Sequence, residues 1–367
     1  MIIGLSTFKA KKKKQSIVLL HDFHENVGFI PPCNYQITLL NNFIQNLSAQ
    51  QKDTHFYVEI MPHFNDWIQK NRAHVHVTTT LTAILAAVDS HMQKGSVRFI
   101  NFDNRSAIDF AMLTISSFCE QLRVHVGASK LSLKRLFYGG DTFSEAVNAY
   151  CSRAKINNEW LPVMYQATVG GYLDQIEKRL IYLDSLINAM PISDALKEMI
   201  KKHYQEIYTV VHADISQILT DKKVDPDTHL FYAAAILQDQ YNKPKVEAQF
   251  ITEAAFFADI ELLSHILHDN SEQIIVHAGA IHTGFVAKML LLLQEEYEST
   301  STFEGYIVQG LMAVLMHRIM PQWMRYKLGL LKPYFVKKPH LMKKRDLFAV
   351  PLSTTLLQNL FDRLANI

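Results

Sequence analysis

The chain has 367 residues, 49% of them hydrophobic and 20% charged, which is an ordinary globular composition and excludes wholesale disorder. With 37 Lys and Arg residues against 35 Asp and Glu residues, the formal net charge is +2, so the overall charge does not favour nucleic-acid binding. The three cysteines show no CxxC spacing, which argues against a disulfide framework and against a thiolate zinc site.

The N-terminal segment gives no sign of export. Its apolar residues Met1–Leu5 precede the run Lys11–Lys14, whereas a secretory signal places positive charge before the apolar stretch. The later apolar run Ile307–Met316 is too short for a helix that spans a bilayer. The sequence therefore predicts a cytoplasmic protein.

Four short apolar runs have the length and composition of buried strands in a parallel sheet. They are Ser16–Leu20, Phe56–Val58, Val97–Ile100 and Ile274–Val276. Helical stretches at Tyr35–Leu47 and Leu81–Met92 separate the first three runs, which is the βαβ rhythm of an α/β fold. We predict a mostly parallel sheet flanked by helices.

The middle of the chain is helical in its periodicity. From Gly171 to about Asp221 the clear interruption is Pro191–Asp194, where Ser193 or Asp194 is the expected N-cap. We interpret this segment as a helical insertion, followed by helices at Asp227–Tyr241 and Glu247–His268. The predicted domains are 15–135 and 226–300 for the two parts of the α/β domain, 136–225 for the insertion and 301–367 for a C-terminal extension.

The C-terminal extension is basic and aromatic between Met320 and Arg345. Such a segment can bind a membrane surface or nucleic acid. The alternative is a solvated tail whose aromatic side chains pack back onto the core. One local cluster in a nearly neutral chain favours the tail.

Residues able to carry out chemistry follow each of the four predicted strands. The carboxyl ends of parallel strands lie along one edge of a sheet, where ligands bind, so residues more than 250 positions apart are expected in one site. In chain order, the candidates are His21, Asp22, His24, Glu25, Glu59, Asp103, Arg105 and His282.

The histidines are candidate metal ligands. His21 and His24 lie three positions apart directly after a strand, and two imidazoles beside a carboxylate can hold a divalent ion. The alternative is a loop in which one histidine caps a helix and the other packs against neighbours. His282, at the start of a predicted helix, is the strongest single candidate, whereas His277 lies inside the strand and is expected to face the core or the opposite side.

The charged candidates have two interpretations each. Glu59 ends an apolar run, so it is expected to ligate a metal or to act as a general base, or else to accept backbone hydrogen bonds as a structural carboxylate. Asp103 and Arg105 are expected to orient one another or to grip an anionic group, with a shaping ion pair as the plainer alternative.

The order of these motifs resembles the superfamily that includes Tiki/TraB-type proteins, ChaN-like haem-binding proteins and erythromycin-esterase-like enzymes. Gly279-Ala280-Ile281-His282 is similar to the second Gly-x-x-His motif of Tiki/TraB-type proteins, and Glu59 falls where those families carry a strand-end Glu. His21 stands in the glycine position of the first motif, His21-Asp22-Phe23-His24. The resemblance covers the first 110 residues and roughly 230–295.

The Tiki resemblance implies a metal-dependent hydrolase. In that case His21, His24 and His282 hold Mn, Co or Zn, Glu59 or Glu25 activates water, and Arg105 steadies the developing anion, with Asp103 as a further catalytic candidate beside it.

The ChaN resemblance implies instead a protein that binds haem or another small ligand through the same histidines and Tyr57 or Tyr35, without turnover. A third alternative is a degenerate member that acts as an interaction module. The sequence names neither the substrate, whether peptide or small molecule, nor the oligomeric state.

Overall fold

The computed structural model describes residues 2–22, 33–50, 52–60, 84, 96–106, 109, 167–222, 225–227 and 244–303. Within these ranges lie the strands β1 Ile2–Ala10, β2 Ser16–Asp22, β3 Thr54–Val58, β4 Val97–Asn101, β5 Gln273–Gly279 and β6 Tyr297–Phe303. The helices there are α1 Cys33–Ala49, α2 Val169–Ala189, α3 Asp194–Lys222, α4 Pro244–His268 and α5 Ala280–Leu292. Several sequence predictions lie outside the described residues. They are the residues His24 and Glu25, the helix at 81–92 except Ile84, the helix at 227–241 except Asp227, and the basic-aromatic segment 320–345.

The six strands form one sheet in the order β4-β3-β5-β2-β1-β6. The pairs β3–β4, β3–β5 and β2–β5 are parallel, whereas β1 is antiparallel to both β2 and β6. This confirms an α/β fold with a mostly parallel sheet. The predicted strands correspond to β2 through β5, and β1 and β6 extend the sheet beyond the prediction.

The central strand of the sheet is β5. It lies between β2 and β3, and all seven of its residues are buried. A strand covered on both faces reads as a continuous apolar run, which is why Ile274–Val276 is recognisable in the sequence. Because α5 begins directly after β5, the N-terminus of this helix lies at the carboxyl edge of the sheet.

Helices α2 and α3 confirm the helical character predicted for the middle of the chain and its interruption at Pro191–Asp194. Thr168 is the N-cap of α2, and its hydroxyl accepts a hydrogen bond from the Gly171 amide at 3.1 Å. The helical structure is interrupted around Pro191, and α3 begins after Ser193, whose carbonyl accepts the amide of Leu196 at 3.0 Å. No helix in the described part of the chain is long and apolar enough to cross a membrane.

The described residues fall into two compact units. The sheet unit contains those up to Ile60, those between Ile84 and Asp103, and those from Glu261 onward, whereas the helical unit contains those from Asn104 to Ile260. The sheet unit is therefore discontinuous in sequence. Glu59, Asp103 and His282 belong to it, and Arg105 belongs to the helical unit.

A buried charged network occupies the helical unit. The Arg179 guanidinium pairs with Asp109 and, at 3.0 Å, with Glu253, and it stacks 4.5 Å above the ring centre of Phe257. The Tyr204 hydroxyl donates to Glu253 at 2.8 Å. Burial raises the pKa of Glu253, and the charge of Arg179 opposes that effect. We call these residues the Arg179 network.

Candidate active site at the carboxyl edge of the sheet

The register of the parallel strands brings the predicted residues of the sheet unit to one edge. Asp22, the last residue of β2, pairs with Gly279, the last residue of β5, and Val58 of β3 pairs with His277. Glu59 follows directly after β3, and its amide donates to the His277 carbonyl at 3.2 Å. The end of β3 is therefore fixed beside the end of β5.

Glu59 and His282 form a buried pair at this edge. The His282 Nε2 atom lies 3.2 Å from Glu59 Oε1, and the two residues are only 6% and 8% exposed. The sequence separates them by more than 200 positions, and the parallel sheet with the short β5–α5 connection brings them together. A carboxylate that holds an imidazole in one orientation is a recurrent arrangement for acid–base chemistry.

Glu59 also binds the N-terminus of α5. Its Oε2 atom accepts the Gly279 amide at 2.7 Å, and Gly279 is the N-cap of α5, with no side chain of its own to cap the helix. Helix N-termini carry partial positive charge and favour a carboxylate. The arrangement therefore favours the charged form of Glu59 and leaves Oε1 to orient His282.

His21 lies within β2, and both of its ring nitrogens contact hydroxyl groups. Its Nδ1 lies 2.6 Å from the Thr283 hydroxyl, and its Nε2 lies 2.8 Å from the Ser6 hydroxyl. Burial lowers the pKa of His21 to about 4, so the imidazole is neutral at pH 7. In this arrangement both ring nitrogens bind hydroxyl groups, and a metal at His21 would have to displace one of them.

A second imidazole–carboxylate pair lies at the end of β2 and β5. His277 Nε2 is 3.8 Å from Asp22 Oδ2, and both side chains are buried. His277 pairs with Leu20 in the register, so Asp22 lies one pleat further along the same face. His277 is completely buried, in agreement with the predicted core position, but its pairing with Asp22 was not predicted.

Asn101 organises the loop beyond β3 and β4. Its side-chain amide donates to the Ile60 carbonyl at 2.7 Å, and its side-chain oxygen accepts the Ile60 and Asp103 amides at 3.2 Å each. Asp103 is completely buried and Arg105 nearly so. Asn101 was not among the predicted site residues, although a polar residue at the end of an apolar run is the same signal that identified Glu59.

The opposite edge of the sheet carries a histidine–carboxylate pair as well. His55, near the start of β3, donates through Nδ1 to Asp269 at 2.8 Å, and the Tyr57 hydroxyl donates to the same carboxylate at 2.7 Å. Although burial opposes it, hydrogen bonds from Ser271, Tyr57 and His55 hold the pKa of Asp269 below its ordinary value. This pair joins β3 to the loop that enters β5.

The donor set that a metal requires is incomplete among the described residues. Within that part of the chain, no group of three His, Cys, Asp or Glu side chains is placed to hold a metal ion. Glu59 and His282 supply two donors, both ring nitrogens of His21 contact hydroxyls, and the predicted ligand His24 lies outside the described ranges. The described residues therefore do not form a metal site by themselves.

Comparison with family models, curated proteins and solved structures finds no match to this chain. The resemblance to the Tiki/TraB, ChaN and erythromycin-esterase superfamily accordingly stays a prediction. The candidate site has to be argued from its own geometry.

Proposed function

We propose that this chain is a hydrolase in which Glu59 and His282 act as an acid–base pair. The observation that carries the proposal is the buried contact of 3.2 Å between Glu59 Oε1 and His282 Nε2 at the carboxyl edge of the sheet. Ligands of open α/β sheets bind at this edge. The resemblance to erythromycin-esterase-like and Tiki-type enzymes points to the same reaction class.

The pair fixes the direction of proton transfer. An ionised Glu59 accepts hydrogen bonds only, so the shared proton resides on His282 Nε2 and the imidazole lone pair lies on Nδ1. His282 Nδ1 then takes a proton from the attacking water, and the Glu59 carboxylate stabilises the imidazolium that forms. The same Nδ1 returns the proton to the leaving group, so the pair ends the cycle unchanged.

A divalent metal belongs to the proposal through the resemblance alone. When bound, such an ion polarises a substrate oxygen or acidifies a water molecule. The described residues do not complete a metal site, and the proton transfers given above involve only Glu59 and His282. Mn, Co and Zn are therefore added separately in the test.

The test measures turnover of chromogenic carboxylic-ester and phosphoester substrates by the wild-type chain and three variants, with and without each metal. Glu59→Gln and His282→Ala remove the acid–base pair, and we expect turnover to fall by about 10²- to 10⁴-fold. His55→Asn is the matched control, because it removes the imidazole of the pair at the opposite edge of the sheet. We expect that variant to retain wild-type turnover.

Two results would contradict the proposal. Equal turnover in the wild type, Glu59→Gln and His282→Ala would show that the pair takes no part in the reaction. Absence of turnover from the folded wild type, combined with a Soret band on haem titration that His282→Ala loses, would favour the ChaN-like binding function. Elemental analysis of the same four preparations shows whether metal content depends on His282.

A further inference from the structure

We propose that His21 is a positioning residue that locks the N-terminus of α5, and with it His282, onto the sheet. His21 bridges the hydroxyl of Ser6 on β1 and the hydroxyl of Thr283 in the first turn of α5. Thr283 is the neighbour of His282 in sequence. The inference rests on the proposed role of His282, but its test reads hydrogen bonds and not turnover.

The three side chains form a continuous buried chain of hydrogen bonds. Ser6 Oγ lies 2.8 Å from His21 Nε2, His21 Nδ1 lies 2.6 Å from Thr283 Oγ1, and Thr283 Oγ1 lies 3.2 Å from the Gly279 carbonyl. All three side chains are buried. The chain of contacts thus runs from β1 across β2 to the residue that caps α5.

We assign to His21 the tautomer that gives every donor in this chain an acceptor within it. The Thr283 hydroxyl has one proton, and in this assignment it donates that proton to the Gly279 carbonyl. Thr283 Oγ1 then accepts from His21, so Nδ1 carries the imidazole proton. Nε2 then holds the lone pair and accepts the proton of the Ser6 hydroxyl. Each of the three donors has one acceptor, and the imidazole is neutral.

The hydrogen bond between His21 and Thr283, which we call the lock, acts on the same helix end that Glu59 binds. Glu59 Oε2 accepts the Gly279 amide, and Thr283 donates to the Gly279 carbonyl, so Gly279 is held from both sides. His282 lies in the first turn of α5, between Gly279 and Thr283 in sequence, and its side chain contacts Glu59 Oε1. A rotation of the first turn of α5 would lengthen that contact, and the His21–Thr283 bond opposes such a rotation.

The first measurement reads the tautomer in the unmodified protein. Two-bond proton–nitrogen correlation spectra of the wild-type chain, labelled with ¹⁵N-histidine, distinguish a proton on Nδ1 from one on Nε2, and His21→Asn assigns the His21 signals. We expect His21 to be the Nδ1–H tautomer at pH 7. A proton on Nε2 alone would overturn the proposal, because Nδ1 would then accept from Thr283. A protonated ring would also overturn it, because Nε2 could then not accept from Ser6. Since this readout needs only the wild-type fold, it holds even if a variant fails to fold.

The second measurement compares two substitutions at His21. Asn places an amide where Nδ1 lies and can still donate to Thr283, whereas Gln places its amide where Nε2 lies and loses that donor. We expect His21→Asn to keep the His282 ring signals of the wild type. We expect His21→Gln to shift them and to speed amide exchange in the first turn of α5 by about tenfold, the size expected for one lost buried hydrogen bond.

Thr283 supplies an independent check of the same lock. Thr283→Val removes the hydroxyl at nearly constant volume and should reproduce the His21→Gln spectrum, whereas Thr283→Ser keeps the hydroxyl and should restore the wild-type spectrum. Identical His282 signals in all of these variants would overturn the positioning role. A catalytically silent protein that shows the expected spectra would contradict the proposed hydrolase and leave the lock established.

Discussion

The Arg179 network and the Glu59–His282 pair are both buried and charged, but they differ in what their groups can exchange. Arg179 contacts two carboxylates whose oxygens also accept hydrogen bonds from Tyr204 and Gln175. A guanidinium does not give up its proton in proteins. His282 contacts the Glu59 carboxylate at the end of a strand, and an imidazole does exchange its proton near neutral pH.

This difference separates a structural centre from a chemical one. A network built on a permanently charged guanidinium holds helices together, and it is expensive to break because each lost partner leaves a buried charge. A pair of two titratable groups at a sheet edge contributes less to folding and more to chemistry. The following measurements test that contrast through the free energy of unfolding, from the largest expected change to the smallest.

Arg179→Ala should cause the largest change. Removing the guanidinium leaves Asp109 and Glu253 buried without their shared cation, which costs about 3–5 kcal/mol. Urea unfolding followed by circular dichroism measures the change. Lys178→Ala, at an exposed position on the same helix, is the matched control and should stay within about 0.5 kcal/mol of the wild type. If Arg179→Ala lowers the free energy of unfolding by less than about 1 kcal/mol, the Arg179 network is no more structural than the Glu59–His282 pair.

Acidification should weaken the sheet unit through His21. The pKa of His21 is about 4 in the folded chain against an ordinary value of 6.5, so the unfolded chain takes up the proton first as the pH falls. The contribution of neutral His21 to the free energy of unfolding is complete above pH 6.5. It is lost between pH 6.5 and pH 4, by about 3 kcal/mol in total.

The pH dependence is measured as the difference between the wild type and His21→Asn in urea unfolding at several pH values. Asn does not titrate, so other groups cancel in the difference. A difference that stays constant from pH 7 to pH 4 would show that His21 has its ordinary pKa in the folded chain.

Tyr204→Phe should have an intermediate effect. The substitution removes one hydroxyl that donates to the buried Glu253 at 2.8 Å, and a hydrogen bond to a charged group contributes about 2 kcal/mol. Tyr182→Phe is the matched control, since Tyr182 is 47% exposed on the same hairpin. If both variants unfold at the same urea concentration, Glu253 does not depend on Tyr204.

His282→Ala should have the smallest effect on stability, about 1 kcal/mol, because Glu59 keeps the Gly279 amide and the N-terminus of α5 as partners. Turnover, or metal content if a metal is present, should nevertheless be lost. Calorimetry and elemental analysis on the same sample measure both quantities. A large drop in melting temperature with unchanged metal content would instead assign His282 to the structural class.

The sequence predicted the part of the fold that depends on apolar runs. Strands β2 to β5 are short buried runs, and α2 and α3 have long helical periodicity, so local pattern identifies them. Strand β1 was not predicted because Ser6 and Thr7 are polar although they are buried, and the register shifts within this strand. Strand β6 is a polar edge strand that owes its position to pairing with β1.

The candidate site was predictable where it depends on the ends of the parallel strands, and not where it depends on β1 or on strand register. The rule that parallel strands end at one edge brings Glu59 and His282 into one region, and the structure has them in contact. The environment of His21 was not predictable, because its partner Ser6 lies on the unpredicted strand β1. The contact between Asp22 and His277 depends on register, and a shift by one residue would reverse the faces.

The position of β5 between β2 and β3 has a consequence for how the protein is made. Strands β2 and β3 leave the ribosome early, but the strand that joins them is about 200 residues further on. At synthesis rates of about 5–20 residues per second, both strands wait roughly 10–40 s with an open edge. Nascent chains paused before residue 273 therefore present two unpaired apolar edges, which makes this interval the period in which aggregation and chaperone binding compete with folding.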